Sequence, residues 1–428
     1  MSIKIGLVGT GTVGGGCIDI IQKHQEDFKR HYGIDLELTQ VCSREPEQAE
    51  AHGVMDIFTL DYMDIINNPE IDIVIELIGG TRVAKDVVMK ALAAGKNVVT
   101  ANKALMATCG AEIFEAAKAA GKNIAYEASV GGGIPIIGPL QNQLISNQIN
   151  AVMGIVNGTT NYMLTRISEG LSYDDALREA QAKGFAEADP TADVDGFDAA
   201  AKIAILASIA FNTRVVMDDV YNVGIRNISP LDLEAANDLG YCVKLLAIAR
   251  RGKKGVDVRV HPTMLPKKHQ LASVNGVDNA IFVVGDAVGE TMFYGPGAGA
   301  GPAASAVMGD VLEVARRLQM NIPPILGDTA TDKLDILPME GLSTRYYVRF
   351  NVADRPGVLA AMTAIFAKHN VSVHSVMQRG GTDAANDTVN VIYITHTAKE
   401  SDMRAVLNEV AALDGVLYGD PTLIRVER

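Results

Sequence analysis

A chain of 428 residues is too long for a single compact core, so two or three domains are expected. Its 48% apolar and 21% charged residues are the balance of a folded soluble protein and exclude wholesale disorder. The 38 Lys and Arg set against 51 Asp and Glu leave a net charge of −13, which excludes non-specific attraction to nucleic acid or an anionic membrane.

Strand-like and helix-like segments alternate through residues 1–145. The chain enters a strand at Ile3–Val8 at once, which leaves no room for a leader ahead of it. Apolar runs at Leu36–Val41, Asp72–Ile78, Asn97–Thr100 and Asn123–Tyr126 read as further buried parallel strands. The helical patterns Arg82–Ala94 and Ala104–Ala120 each close on a Gly, Gly95 and Gly121, suited to the residue after a helix. Such alternation predicts an α/β fold with a Rossmann-type, doubly wound parallel sheet.

Between the first strand and its helix stands Gly9-Thr10-Gly11-Thr12-Val13-Gly14. This Gly-x-Gly-x-x-Gly sequence in a strand–turn–helix setting is a dinucleotide fingerprint: the glycines allow a tight turn and close backbone approach, and the helix N-terminus receives a pyrophosphate. Gly9, Gly11, Thr12, Val13 and Gly14 are therefore candidate cofactor residues. After the second strand comes Arg44-Glu45. Arg44 would receive the 2′-phosphate of NADP, whereas Glu45 would serve the ribose of NAD.

From about residue 150 the pattern changes to α+β. Ala151–Val156 reads as a strand, followed by helices at Thr160–Glu169, Tyr173–Lys183 and Asp193–Phe211, then strands at Tyr241–Arg250, Gly255–Val260 and Ala280–Val284. Ser172 is placed to cap the second helix. The Gly-rich stretch from Gly295 to Gly301 opens a helix at Pro302–Leu318 that would complete the first domain over 296–320, leaving 146–295 as a catalytic and dimerisation domain. Residues 321–344 read as a linker. Residues 345–428 give strand, helix, strand, strand, helix, strand, a ferredoxin-like βαββαβ unit. The most apolar helix, Ala199 to Phe211, is about half a bilayer span and carries Lys202. Cys17, Cys42, Cys109 and Cys242 are scattered without a paired or metal-ligand spacing, as in reduced thiols of a cytoplasmic protein.

The strongest chemical signal runs from Gly184 to Lys202. Asp198 and Lys202 are four apart and share a helix face, Asp193 lies near the expected helix start, and Glu187 precedes it in a loop. One surface salt bridge would account for part of this, but three acids and a lysine at the mouth of an apolar helix point to a site. The eight His fall outside these motifs, so His-based hydride chemistry and a catalytic zinc have no candidate.

The segment, with its Asp189-Pro190 turn and Asp-Gly-x-Asp-x3-Lys ending at Lys202, resembles the signature of homoserine dehydrogenases. Supporting stretches are Asn102-Lys103-Ala104, Tyr126 to Gly133, Asn157 to Asn161 and the run ending at Gly301, together covering about residues 3–320. The resemblance implies NAD(P)-dependent interconversion of L-homoserine and L-aspartate 4-semialdehyde. It implies Lys202 as proton donor to the carbonyl oxygen, Lys103 sharing the site, and Asp193 supporting it. It further implies Glu187, Asp198, Asn157, Gly158 and Thr159 as substrate residues, and Thr81, Lys103 and Gly301 as cofactor residues. Sodium or another monovalent cation would be held by Glu127 and the main-chain oxygens of Val130, Gly132 and Ile134. No preceding aspartate kinase is expected.

The run Asp354-Arg355-Pro356-Gly357 and the segment Ala364–Val373 make the C-terminal unit resemble an ACT domain. That resemblance implies L-threonine as a feedback effector bound between paired copies, or a module used only for oligomerisation, with a homodimer or homotetramer expected. The strand Thr388–Thr395 suits a sheet that pairs with a second copy. Two other functions stay open: a dehydrogenase of another amino-acid semialdehyde, and a non-catalytic nucleotide and amino-acid sensor.

Overall fold

The computed structural model describes residues 2–324, 328–380 and 388–427. Six strands, β1 (Ile3–Val8), β2 (Leu36–Cys42), β3 (Phe58–Thr59), β4 (Ile73–Glu76), β5 (Asn97–Thr100) and β6 (Ile124–Ala125), form one parallel sheet in the order β3-β2-β1-β4-β5-β6. Its strands β4, β5 and β6 are buried along their whole length because both faces are covered there. On β4, Ile73 and Ile75 point to a core built with the helices Thr12–Tyr32 and Ala300–Gln319. Val74 between them points to the helices Arg82–Ala93 and Lys103–Ala120. The late helix Ala300–Gln319 lies so close to the first that a side chain at Gly16 would meet the Ala300 carbonyl oxygen at 2.9 Å.

A second, mixed sheet continues through the rest of the chain. Along it lie Gly289–Pro296, Asp278–Gly285, Ile149–Ile155, Tyr241–Arg251 and Gly255–Pro266. Thr422–Val426, Ser343–Ala353, Thr388–Thr395 and Val373–Gly380 follow in the same sheet. The C-terminal unit is thus a βαββαβ module joined edge to edge with the catalytic sheet: Thr263 and Met264 pair in parallel with Arg425 and Val426. Its helices Val358–Lys368 and Glu400–Ala411 cover one face, over Tyr346, Val348, Phe350 and Tyr393. The alternate residues Tyr347, Ile392, Ile394 and Ile424 turn the other face into the main core. There Tyr347 Oη donates to Asp232 at 2.8 Å, and Arg349 donates to both oxygens of the same carboxylate.

Several elements differ from the sequence expectation. The helix expected over Asp193–Phe211 is two, Thr191–Val194 and Phe197–Phe211, because Gly196 adopts a left-handed conformation, φ 85°, between them. The strand from Gly255 runs past Val260 to Pro266. Pro262 is tolerated because that side of the strand pairs at Arg259–Val260 and again at Thr263–Met264, leaving a gap between them where no N–H is needed. Gly289–Pro296 is an additional edge strand. Part of the segment read as a linker is pinned down: Asp335 and Ile336 pair with Gly255 and Val256, and Asp332 bridges to Thr213. Thr388–Thr395 is interior to its sheet, and the exposed edge belongs to Val373–Gly380.

Candidate active site

The carboxyl ends of the first sheet open toward the buried helix Phe197–Phe211. Gly196 starts that helix so that Asp198 falls in its first turn, where the helix dipole favours a carboxylate. Lys202 follows one turn later and is also buried. Lys202 Nζ donates to Asp198 Oδ2 at 2.7 Å and to the Val156 carbonyl at 2.6 Å. Lys103, the first residue of its helix after β5, donates to the other oxygen, Asp198 Oδ1. Asn157 Nδ2 donates to Asp198 Oδ2 at 3.0 Å and to Asp193 Oδ1 at 2.7 Å, which ties Asp193 into the group although it stands on the separate short helix.

The electrostatics follow from this arrangement. Burial lowers the pKa of Lys202 from its ordinary value, outweighing the opposing pull of Asp198. Burial would raise the Asp198 carboxyl, but Lys202 and Lys103 together hold it well below the usual carboxylate range. The result is one shared anion between two cations, with Lys202 more ready to give up its proton than a surface lysine.

Asn102 and Asn157 each cap the helix they begin, accepting from Leu105 N at 3.0 Å and Thr160 N at 2.9 Å. Asn102 Nδ2 also donates to the Gly80 carbonyl at 2.6 Å, fixing the loop that follows β4.

Two adjoining clefts meet at the lysines. One, about 800 Å³, is lined by Asn157, Gly158, Thr159, Glu187, Asp193 and Asp198, with Thr81 at its rim. The other is lined by Val13, Gly79, Gly80, Gly131 and Gly132. Lys103, Lys202 and the turn Gly297-Ala298-Gly299 border both. Glu187 is exposed and has no ion-pair partner among the described residues, so its carboxylate is free to meet a ligand.

Val13 alone of the fingerprint borders these clefts; Gly9, Gly11, Thr12 and Gly14 form the turn before it. A side chain at Gly14 would collide with the Gly9 carbonyl oxygen, so the third glycine is required by the turn itself. Arg44 is exposed beyond the end of β2, outside both clefts, and Gly301 faces open space one step into its helix. From the same glycine run, Gly297, Ala298 and Gly299 are the residues that border the clefts. The Val156 carbonyl and that turn were missed as site features; a main-chain acceptor leaves no trace in residue type, whereas the glycine run did.

The Glu127 carboxylate is taken up by main-chain N–H groups: Ile136 N at 2.6 Å, Ile137 N at 2.8 Å and Gly138 N at 2.6 Å. For a cation at this loop, the donor from Glu127 would therefore be its carbonyl, together with those of Val130, Gly132 and Ile134. Gly131 and Gly132 are both left-handed, φ 75° and 56°, which curls the loop as such a carbonyl set requires. Among the described residues no cluster of three or more His, Cys, Asp or Glu is arranged to hold a metal.

A nucleotide-binding sheet whose cleft ends on a buried lysine–carboxylate pair defines an NAD(P)-dependent oxidoreductase acting on a CH–OH group. Residues 9–127 match the family model "Homoserine dehydrogenase, NAD binding domain", residues 135–312 match "Homoserine dehydrogenase", and residues 346–415 match "ACT domain". The chain is 45% identical over 438 residues to the homoserine dehydrogenase of Synechocystis sp., with 100% of both covered. It is 43% identical over 433 residues to that of Pseudomonas aeruginosa, covering 100% of this chain and 99% of the relative. The crystal structure of a homoserine dehydrogenase from Thiobacillus denitrificans superposes with a TM-score of 0.94 at 41% identity, covering 100% of this chain and 98% of that one. The chain belongs to the homoserine dehydrogenase family.

Proposed function

We propose that the chain interconverts L-homoserine and L-aspartate 4-semialdehyde with Lys202 carrying the proton. The observation that carries this reading is the position of Lys202, buried between Asp198 and the Val156 carbonyl where the two clefts meet. A nicotinamide, when bound, takes hydride from the alcohol carbon or returns it to the aldehyde. In oxidation the neutral Lys202 amine accepts the hydroxyl proton; in reduction the ammonium returns it to the carbonyl oxygen. Lys202 has three donors as an ammonium and uses two on the protein, leaving one for a substrate oxygen. Lys103 and Asn157 position Asp198, which in turn aims Lys202. Glu187 suits the substrate ammonium, and the first amides of the helix Gly158–Ser168 suit its carboxylate.

NADP is the cofactor this reading favours. Arg44 has no ion pair among the described residues, while the Glu45 carboxylate is engaged by Gln48. A hyperthermophilic archaeal homoserine dehydrogenase mutant of similar fold, TM-score 0.64 at 28% identity over 74% of this chain, was solved in complex with NADPH. Sodium or a similar ion at the carbonyls of Glu127, Val130, Gly132 and Ile134 would stiffen the loop that borders the cofactor cleft. L-Threonine is proposed as the effector of the C-terminal module, where left-handed Gly357, φ 91°, lets main chain approach a ligand. A homodimer or homotetramer is proposed, supported by exposed Met292 and Tyr294 on the free edge strand Gly289–Pro296. The described helices include none long and apolar enough to cross a membrane, which suits the proposed cytoplasmic location.

The test is a set of initial rates of homoserine oxidation with NADP or NAD, with and without threonine and sodium. Faster turnover of a different amino-acid alcohol would replace the substrate, and no oxidation at all would leave the sensor reading in its place.

A further inference from the structure

Asn279 is the second residue of the strand Asp278–Gly285, opposite Gly295. It is 1% exposed, and neither Nδ2 nor Oδ1 has a hydrogen-bond partner among the described residues. The backbone beside it is held independently of that side chain. Asn161 Nδ2 donates to the carbonyls of Asp278 at 3.0 Å and Val274 at 3.2 Å, and Lys244 Nζ donates to Asn161 Oδ1 at 3.0 Å. The amide is therefore fixed in place without bonds of its own.

Its neighbours are two glycines of the cleft wall. A side chain at Gly297 would land on the Asn279 amide, and one at Gly158 would come within 3.6 Å of Asn279 Oδ1. Gly132 abuts the Gly297 carbonyl from the other side. The amide thus stands directly behind the wall, between the turn shared by both clefts and the start of the substrate helix. An unpaired buried donor and acceptor opposes folding, and a residue kept at that cost beside a ligand site points to partners gained in the working complex.

We propose that Asn279 is a positioning residue for hydride transfer: its amide acquires main-chain partners on the turn Pro296–Gly299 when the cleft is filled, so that binding fixes the turn. The proposal rests on the reading of the clefts as cofactor and substrate sites. A ligand can hold a segment only through interactions that differ between two arrangements, and pairing an orphaned amide is such a difference. The ends of the turn are held by main-chain bonds, Gly133 N to the Pro296 carbonyl at 3.2 Å and Ala303 N to the Gly299 carbonyl at 3.1 Å, while its middle carries no side chain larger than that of Ala298.

The full-length chain and its Asn279→Leu and Asn279→Ala variants would be compared for thermal midpoint alone and with NADPH, and for kcat and KM with homoserine. Removing an orphaned polar group should leave the midpoint without nucleotide unchanged or higher in at least one variant. The rise on adding NADPH should shrink in both, and kcat should fall about tenfold, the loss of about one hydrogen bond. A lower midpoint without nucleotide in both variants, or failure of both to fold, would overturn the proposal by showing the amide already paired. An unchanged NADPH shift with unchanged kcat would overturn it equally. A parent protein inert to both NADPH and homoserine would instead sink the reading of the clefts.

Discussion

Arg349 grips Asp232 with two nitrogens, Nε at 2.7 Å and Nη2 at 3.0 Å, across the junction between the C-terminal module and the catalytic domain. Asp232 is fully buried and also accepts from the backbone and hydroxyl of Ser229, at 2.9 and 2.7 Å, capping its own helix. One carboxylate thus serves a helix start and a domain contact. Asp232→Ala leaves the half-buried Arg349 guanidinium without its carboxylate, with Thr422 Oγ1 at 2.8 Å still accepting from it, and should cost about 1.5–3 kcal/mol in denaturant unfolding of the whole chain. A loss below 1 kcal/mol, about the worth of an exposed pair, would show that the junction is wet.

Lys202→Ala should reduce homoserine oxidation by about 10²–10⁴-fold. Cofactor binding, followed by nucleotide fluorescence, should survive, because Lys202 stands at the far end of that cleft. A variant with near-normal turnover would remove Lys202 from the proton path.

The depressed pKa of Lys202 sets the sign of a pH effect. Oxidation needs the neutral amine, so kcat/KM for homoserine should climb with pH and level off below 10.5, the ordinary lysine value. Reduction needs the ammonium and should fall over the same interval. A rise in oxidation that continues beyond pH 10.5 would mean that another group accepts the proton.

Gly14→Ala places a methyl group against the Gly9 carbonyl oxygen. Overpacking at such a contact costs about 1–3 kcal/mol, which if spent in the turn weakens cofactor binding about 10- to 100-fold. Isothermal titration with NADP and NAD reads this directly, and equal affinity in both proteins would show that the turn relaxes.

Five strands of the first sheet were legible because short apolar runs alternate with helices that carry local stop signals, Gly95 and Gly121 among them; the sixth, β3, is only the two residues Phe58–Thr59, too short to show a pattern. The lysine–carboxylate group was legible because Asp198 and Lys202 lie on one turn of one helix. What escaped depends on distant chain. Gly196 reads as an ordinary residue inside a helical pattern until its left-handed conformation splits the element. Gly289–Pro296 alternates weakly and is bounded by glycines, so its pairing with Asp278–Gly285 had to be seen. The strand expected at Gly255–Val260 continues through Pro262 to Pro266, and the gap between two short neighbours explains why the proline is tolerated. Asn279 fell just outside the strand expected at Ala280–Val284, and nothing in a sequence marks an amide as unpaired.

Thr422–Val426 covers an edge of Gly255–Pro266, a strand made long before it. While the ribosome is still extending the chain, the Thr263–Met264 end of that edge presents open main chain to any passing segment, its own or a neighbour's. The vulnerable interval closes only when translation has delivered the late strand. A bulky fusion attached beyond residue 428 would therefore pull on the seal of the catalytic sheet, whereas one placed ahead of β1 would leave that seal alone.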